Sequence, residues 1–297
     1  MNNNEIPKLE EPQNIITSIQ KSSIETDAKK EKIIAELKSL TKEQIKSIIE
    51  KNESEDNFCG ETGTTSFAYV FLNGEERHKS LKAYLEAQSN KETSKEIKNT
   101  HTYEFIEKNE NLKKAFSKYP LVDLAAGPKN YVFRILKLLE KCGCKKYIGI
   151  DRSSQYGDID TEKFKSEYSE YAKGSDYKEE LLTLEGELHG SKDIITFLQT
   201  LPDKSVNILL SGFDKNISNV KKIEAGNRYN TILLAEIARV TPDDGFYLDI
   251  ESHPEATYNG ISVRPKDFGF FTGKISETAG YHRFYTKVQF DGLNYEK

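Results

Sequence analysis

Two apolar runs in the second half of the chain each lead into an aspartate: Leu121-Val122-Asp123-Leu124, and then Tyr147-Ile148-Gly149-Ile150-Asp151. The first run leaves through a turn of small residues, Ala125-Ala126-Gly127-Pro128, and an amphipathic stretch separates the two. A buried strand, a small-residue turn, a helix and a second buried strand form the repeating unit of a parallel sheet, because parallel neighbours have to be joined by a crossover. An acid at the end of the second strand can accept both hydroxyls of a ribose, so the unit predicts a nucleoside crevice.

The alternation continues to the end of the chain. Apolar runs predict strands near residues 121–124, 146–150, 181–185, 206–211 and 245–250, with helices over 130–141, 160–172, 192–200 and 228–239. Residues 158–180 are dense in Tyr, Glu and Lys, which reads as a solvated helix in an enlarged connection. Two aromatic runs, 267–271 and 284–290, predict a closing pair of strands joined through a turn near Gly280. No internal repeat is visible.

The segment before Pro120 has a different character. Residues 1–28 are polar and free of aromatics, as expected of a flexible tail. From Lys29, Ile33, Ile34, Leu37 and Leu40 recur at helical spacing, and Thr41 to Gln44 reads as a capping box opening a second helix with Ile45, Ile48 and Ile49 on one face. Residues 52–65 form a linker candidate, residues 66–72 a short aromatic run, and residues 75–88 and 103–118 two further helices. The expected organisation is a tail to residue 28, a mainly helical extension or lid over 29–119, and an α/β domain over 120–297. The apolar faces of the extension have to be covered, either by the domain or by a second subunit in a homo-oligomer. Tyr69, Phe71, Tyr84, Tyr103 and Phe105 are candidates either for the wall of a cleft or for the fill of a helical core.

Composition narrows the choice of partner. A net charge of -5 and a pI near 5.7 argue against a broad nucleic-acid surface. No apolar run is long enough to span a bilayer, and the first residues are polar and acidic, so a cytoplasmic protein is expected. Cys59, Cys142 and Cys144 are too few and too unevenly spaced for a disulfide framework or a zinc site, and no metal is expected.

The order of these segments resembles the class I S-adenosylmethionine-dependent methyltransferases, over about residues 120–290. That family carries D/E-x-G-x-G-x-G after its first strand. Here Asp123 holds the acid position, Ala125 stands for the first glycine, Gly127 is the middle one, and Lys129 stands for the third. The run Asp193-Ile194, then Leu201-Pro202-Asp203 ahead of the apolar residues 206–210, is similar to the family segment that meets the adenine. Glu236-Ile237-Ala238-Arg239-Val240 followed by Thr241-Pro242-Asp243-Asp244-Gly245 is similar to the helix end and turn that launch the fifth strand. Glu236 and Arg239 themselves read better as a structural helix-face pair.

The resemblance implies a Rossmann-like α/β fold: a seven-stranded, mostly parallel sheet with an antiparallel C-terminal strand, plus the N-terminal helical extension. It implies S-adenosyl-L-methionine as cofactor, with Asp123, Ala125, Gly127, Asp151, Arg152, Asp193, Ile194 and Ser211 as binding residues. Asp193 also reads as an ordinary helix cap. The implied activity is transfer of a methyl group to an oxygen or nitrogen of a small-molecule acceptor. His253 and Asp214, beyond the fifth and fourth strands, are the candidate catalytic residues, the histidine because it titrates near neutrality. The chain lacks the N/D-P-P-Y/F run of base- and amide-methylating enzymes, having Ser211-Gly212-Phe213-Asp214 instead, which argues further against a nucleic-acid acceptor. A protein acceptor, a catalytically weak scaffold of the same fold and, more distantly, a nicotinamide oxidoreductase are the competing readings.

Overall fold

The computed structural model of the chain describes residues 27–37, 39–41, 43–45, 102–126, 129–151, 158–173, 182–190, 193–210, 224–249, 256–258, 261–275 and 282–296. Ten strands are described: β1 Leu121–Leu124, β2 Lys146–Ile150, β3 Glu185–His189, β4 Asn207–Leu210, β5 Phe246–Asp249, β6 Ala256–Tyr258, β7 Ile261–Val263, β8 Phe271–Lys274, β9 Arg283–Thr286 and β10 Asn294–Tyr295. The helices are α1 over residues 27–37, α2 over 102–108, α3 Glu110–Lys118, α4 Lys129–Lys141, α5 Thr161–Lys173, α6 Ile194–Leu198 and α7 Glu224–Val240.

One eight-stranded sheet organises the molecule in the order β10-β8-β9-β5-β4-β1-β2-β3, and β6 and β7 form a separate two-stranded ribbon. Strands β1 to β5 are mutually parallel, and β9 pairs antiparallel with β5. The first five strands follow the doubly wound order 3-2-1-4-5, but a reversed strand takes the place of the sixth parallel strand of a dinucleotide-binding sheet. This is the α/β Rossmann-like architecture with an antiparallel C-terminal strand that the sequence implies, with the two-residue β10 extending its edge.

Alternation along each strand divides the core in two. Leu121, Tyr147, Leu209, Phe246 and Phe284 face one side, where they pack with α2 to α5. Val122, Ile148, Ile208, Tyr247 and Tyr285 face the other, with α6, α7 and the N-terminal helix. Crossover helices after β1 and β2 lie on the first side and those after β3 and β4 on the second, so the winding reverses between β1 and β4. Phe116 and Phe246 stack at 4.4 Å, and each fully buried ring contributes about 2 kcal/mol relative to exposure.

Several local expectations shift. The third strand occupies 185–189 rather than 181–185, because Glu185-Gly186-Glu187-Leu188-His189 alternates outward polar and inward small or apolar residues along a sheet edge. The apolar Leu182 and Leu184 that suggested the earlier strand enter the core just before it. The single helix expected over 103–118 breaks at Asn109, whose side chain caps α3 by accepting from Leu112 N at 3.0 Å. Near the C-terminus, residues 265–268 form a 3-10 turn, and Gly269 with φ 87° redirects the chain so that β8 starts at Phe271. The second closing strand ends at Thr286 rather than running to 290.

The capping box at Thr41 is present: Thr41 N donates to Gln44 Oε1 at 2.8 Å, and Gln44 N to Thr41 Oγ1 at 3.2 Å. Ile33, Leu37 and Ile45 are buried in the same cluster as Leu233, Ile237 and Phe270, so the apolar face of this segment is covered by the chain's own core. Lys30 pairs with Asp267 at 3.3 Å and ties α1 to the 3-10 turn. Tyr103 and Phe105 join the core on the opposite side of the sheet. Residues 46–101, including Tyr69, Phe71 and Tyr84, lie outside the described residues. Among the described residues, no helix is long and apolar enough to cross a membrane.

Candidate functional site

In a doubly wound sheet the ligand crevice opens at the carboxyl ends of the strands, where the winding reverses. Here that place lies between the ends of β1 and β4. Ala125 leaves β1 with φ 58°, in the left-handed region that favours glycine. Ala126 N donates to Ile150 O at 2.9 Å and fixes the turn against the end of β2. The backbone therefore keeps the shape a glycine would give, with a methyl group at a position where that shape costs an L-residue about 1 kcal/mol. Ala125→Gly is expected to melt at the same temperature or about 2 °C higher, and Ala125→Val several degrees lower. The opposite order in calorimetric melts would mean that the turn does not hold this angle.

Lys129, in the place of the third glycine, turns away from the crevice and ion-pairs with Glu167 on α5. Lys163 reaches the same carboxylate at 3.6 Å. A long side chain at the exit of the turn is thus absorbed by the next crossover helix.

Asp123 lies under the turn, fully buried on the α4 side of the sheet, where Oδ2 accepts from Tyr147 Oη at 2.7 Å. Gly149 makes room for this strut, since a Cβ there would stand 3.1 Å from the Tyr147 ring and 2.6 Å from Leu188. Burial, reinforced by the Asp123 charge, holds the Tyr103 hydroxyl well above its ordinary pKa. Asp123 thus belongs to the core beneath the strand end rather than to the open end of the sheet.

Asp151 follows β2 directly and is half-buried, with its backbone N–H donating to His189 O at 3.0 Å. Asp193 caps α6: Oδ1 accepts from Thr196 N at 2.8 Å. A carboxylate has about four lone-pair sites, so capping uses only part of its capacity. Ile194 sits in the core, only 4% exposed, and supports α6 from within.

The shifted third strand places two residues that the sequence had not singled out. His189 ends β3, and its ring lies 5.2 Å from that of Phe197 on α6 at an interplanar angle of 41°. Both side chains are half-buried. The imidazole is held between carboxylates, Nε2 lying 3.3 Å from Glu187 and Nδ1 3.9 Å from Asp158. With the strand assigned to 181–185, His189 would have fallen in a loop; the alternation of Gly186 and Leu188 with polar neighbours was the signal that could have found it.

The segments carrying the Leu-Pro-Asp and Glu-Ile-x-Arg-Val patterns meet at one guanidinium. Arg239 donates to Leu198 O at 2.8 Å, Leu201 O at 3.0 Å and Asp203 Oδ1 at 2.6 Å, and pairs with Glu236 at 2.7 Å. It joins the end of α6 to α7 and so positions Asp193 and Phe197 from behind. Its role is structural, as the helix-face spacing suggested.

Cys142 and Cys144 are buried free thiols donating to Tyr103 O and Lys146 O. Burial pushes Cys144 up to about 12 and Cys142 higher still, which rules out thiolate chemistry near neutral pH. Among the described residues, no group of His, Cys, Asp or Glu is placed to hold a metal. A groove of about 430 Å³, lined by Glu140, Cys144, Lys146 and Glu185 among others, opens at the amino ends of β2 and β3, opposite the crevice. Gly127, Arg152, Ser211, Asp214 and His253 lie outside the described residues.

No protein-family model and no curated protein matches the sequence. Among solved structures the chain is similar to MNMC2 from Aquifex aeolicus, with a TM-score of 0.35 and 13% identity over 59% of this chain and 56% of that one. It is also similar to the antibiotic-resistance methyltransferase Kmr, with a TM-score of 0.30 and 14% identity over 58% of this chain and 88% of that one. A third similar structure is a SAM-dependent methyltransferase from Aquifex aeolicus, with a TM-score of 0.30 and 17% identity over 62% of this chain and 92% of that one. The matched region spans little more than half of the MNMC2 chain. The chain resembles the class I methyltransferases in the order of its segments and in the sheet they build.

Proposed function

We propose that this chain is an S-adenosylmethionine-dependent methyltransferase that moves a methyl group to an oxygen or nitrogen of a small-molecule acceptor. The observation that carries the reading is the combination at one end of the sheet: winding that reverses between β1 and β4, a left-handed turn at Ala125, and Asp151 and Asp193 at the neighbouring strand ends. When bound, the cofactor supplies a methyl group already activated on a sulfonium, so the protein's task is alignment and exclusion of water.

The residues present suit that group. The Ala125-Ala126 turn puts no long side chain between backbone and ligand. Asp151 can accept both ribose hydroxyls, and Asp193 can accept from an exocyclic amino group. Asp151 and Asp193 place negative charge at this end of the sheet, which favours a ligand bearing a sulfonium and an ammonium over one bearing a pyrophosphate. In this reading residues 120–297 carry the cofactor site, residues 29–119 are the extension that covers it, and His253 and Asp214 are the candidates for removing the acceptor's proton.

Titration calorimetry with S-adenosylmethionine, S-adenosylhomocysteine and NAD tests the assignment: binding of the first two is expected, and binding of NAD alone would overturn it. Asp151→Ala is expected to weaken S-adenosylhomocysteine roughly thirtyfold, the loss of charge-assisted hydrogen bonds, with the circular dichroism spectrum retained. Unchanged affinity would place the ribose elsewhere. An acceptor panel with radiolabelled methyl donor then identifies the class of molecule methylated.

A further inference from the structure

We propose, on the methyltransferase reading, that Asp249 and Arg283, with Tyr247 and Asn230, form an acceptor pocket for a small zwitterion, a molecule carrying both an ammonium and a carboxylate. Asp249 is the last residue of β5, and Arg283, the first of β9, stands directly opposite it in the antiparallel register. Alternation puts both on the α7 side of the sheet, in line with the stacked rings of Tyr247 and Tyr285, whose centroids are 4.8 Å apart. Asn230 comes to the same level from α7. That helix ends at Val240, whose carbonyl accepts Ser205 N just ahead of β4, and Asn230 lies about 15 Å back along it. The corner therefore belongs to the carboxyl ends of β4 and β5, beside the crevice assigned to the cofactor.

Buried polar atoms distinguish this corner from a plain strut between two strands. Tyr247 Oη, Asn230 Oδ1 and Arg283 Nε have no hydrogen-bond partner among the described residues, although Tyr247 is fully buried and Asn230 only 5% exposed. Folded chains pair nearly all such groups, so three of them at one level of one sheet face call for a ligand that pairs them. They offer a guanidinium N–H and a hydroxyl as donors and an amide oxygen as acceptor, next to the completely buried Asp249. Burial, with the Asp249 charge next, holds the Tyr247 and Tyr285 hydroxyls above their ordinary pKa, so both remain donors at neutral pH. Arg283 is half-buried and gives the corner an edge toward solvent. A ligand with only a carboxylate would meet Asp249, and one with only an amine would meet Arg283; a zwitterion matches both. Directly opposed residues hold their Cβ atoms about 5 Å apart, which suits the short span between the charges of an amino acid.

The full chain, saturated with S-adenosylhomocysteine, is titrated calorimetrically with the common α-amino acids, β-alanine and 4-aminobutyrate. At least one is expected to bind saturably, and its deaminated acid and decarboxylated amine about tenfold more weakly or worse. Binding by none of them, or equal binding of the singly charged counterparts, would overturn the pocket. Titrations without S-adenosylhomocysteine separate the two readings. A zwitterion that binds a chain unable to bind S-adenosylhomocysteine would overturn the cofactor reading and keep the pocket; the reverse would overturn the pocket alone, and binding of neither would overturn both. Tyr247→Phe is expected to melt no lower than wild type, since its hydroxyl has no partner in the fold, and to bind the zwitterion about fivefold more weakly. Either a lower melting temperature or an unchanged affinity would count against the pocket and overturn it. As a second variant, Arg283→Gln is expected to bind the zwitterion about tenfold more weakly and its decarboxylated amine no more weakly than wild type does. Equal weakening of both would overturn the pairing of Arg283 with the carboxylate.

Discussion

Gly186→Ala is expected to destabilise the fold by about 3 kcal/mol, lowering the melting temperature by roughly 10 °C. A Cβ at this position would lie 2.1 Å from Phe164 Cε1 and 2.3 Å from Cζ, inside the contact radius of the ring. Phe164 is fully buried and wedged edge-on against Phe133 at 5.5 Å, so it cannot swing aside without opening the packing of α5 on the sheet. The clash concerns one ring, which makes the cause separable. Phe164→Leu in the same chain leaves space for the methyl group, and the double variant is expected to lose less than the sum of the two single losses. Strict additivity in urea titrations would show that the damage at position 186 has another origin.

Asn207→Leu is expected to cost about 3 kcal/mol with little change in side-chain volume. Asn207 is completely buried at the start of β4, where Nδ2 donates to Ala115 O at 2.8 Å and Oδ1 accepts from Phe246 N at 3.1 Å. It bridges the end of α3 and the start of β5. The apolar variant removes both buried hydrogen bonds at once. Asn207→Asp retains the acceptor toward Phe246 N but sets a carboxylate against the Ala115 carbonyl. Its folded state holds a proton more tightly than its unfolded state, so its deficit is expected to shrink as pH falls from 8 to 5. A deficit independent of pH would mean that the carboxylate has found water.

The legibility of this fold in the sequence follows burial. Strands β1 and β2 read directly, because an interior parallel strand is apolar on both faces and its end is marked by an aspartate. β3 lies at the edge, with one face toward solvent, and its glutamates and histidine look like loop residues unless the alternation is followed. The break at Asn109 was hidden for a different reason: a single capping side chain divides a continuous apolar stripe without changing its spacing. In the candidate site, Asp151 and Asp193 were accessible to reading because strand ends and helix caps impose residue types locally. The pairing of His189 with Phe197 was not, since it depends on how α6 packs against the end of β3, which no local pattern encodes. The burial of Asp123 against Tyr147 likewise arises from the choice of sheet face.

Ala125 and Lys129 carry one more consequence. What such a turn requires is a backbone angle rather than a particular residue, so its letters can vary as long as neighbours compensate. Here alanine holds a φ of 58°, and a salt bridge to Glu167 stows the lysine. Distant chains with this turn are better sought by asking which residues tolerate a left-handed angle directly after an aspartate-bearing strand, and which acids on the following helices can retrieve a displaced cation, than by counting glycines.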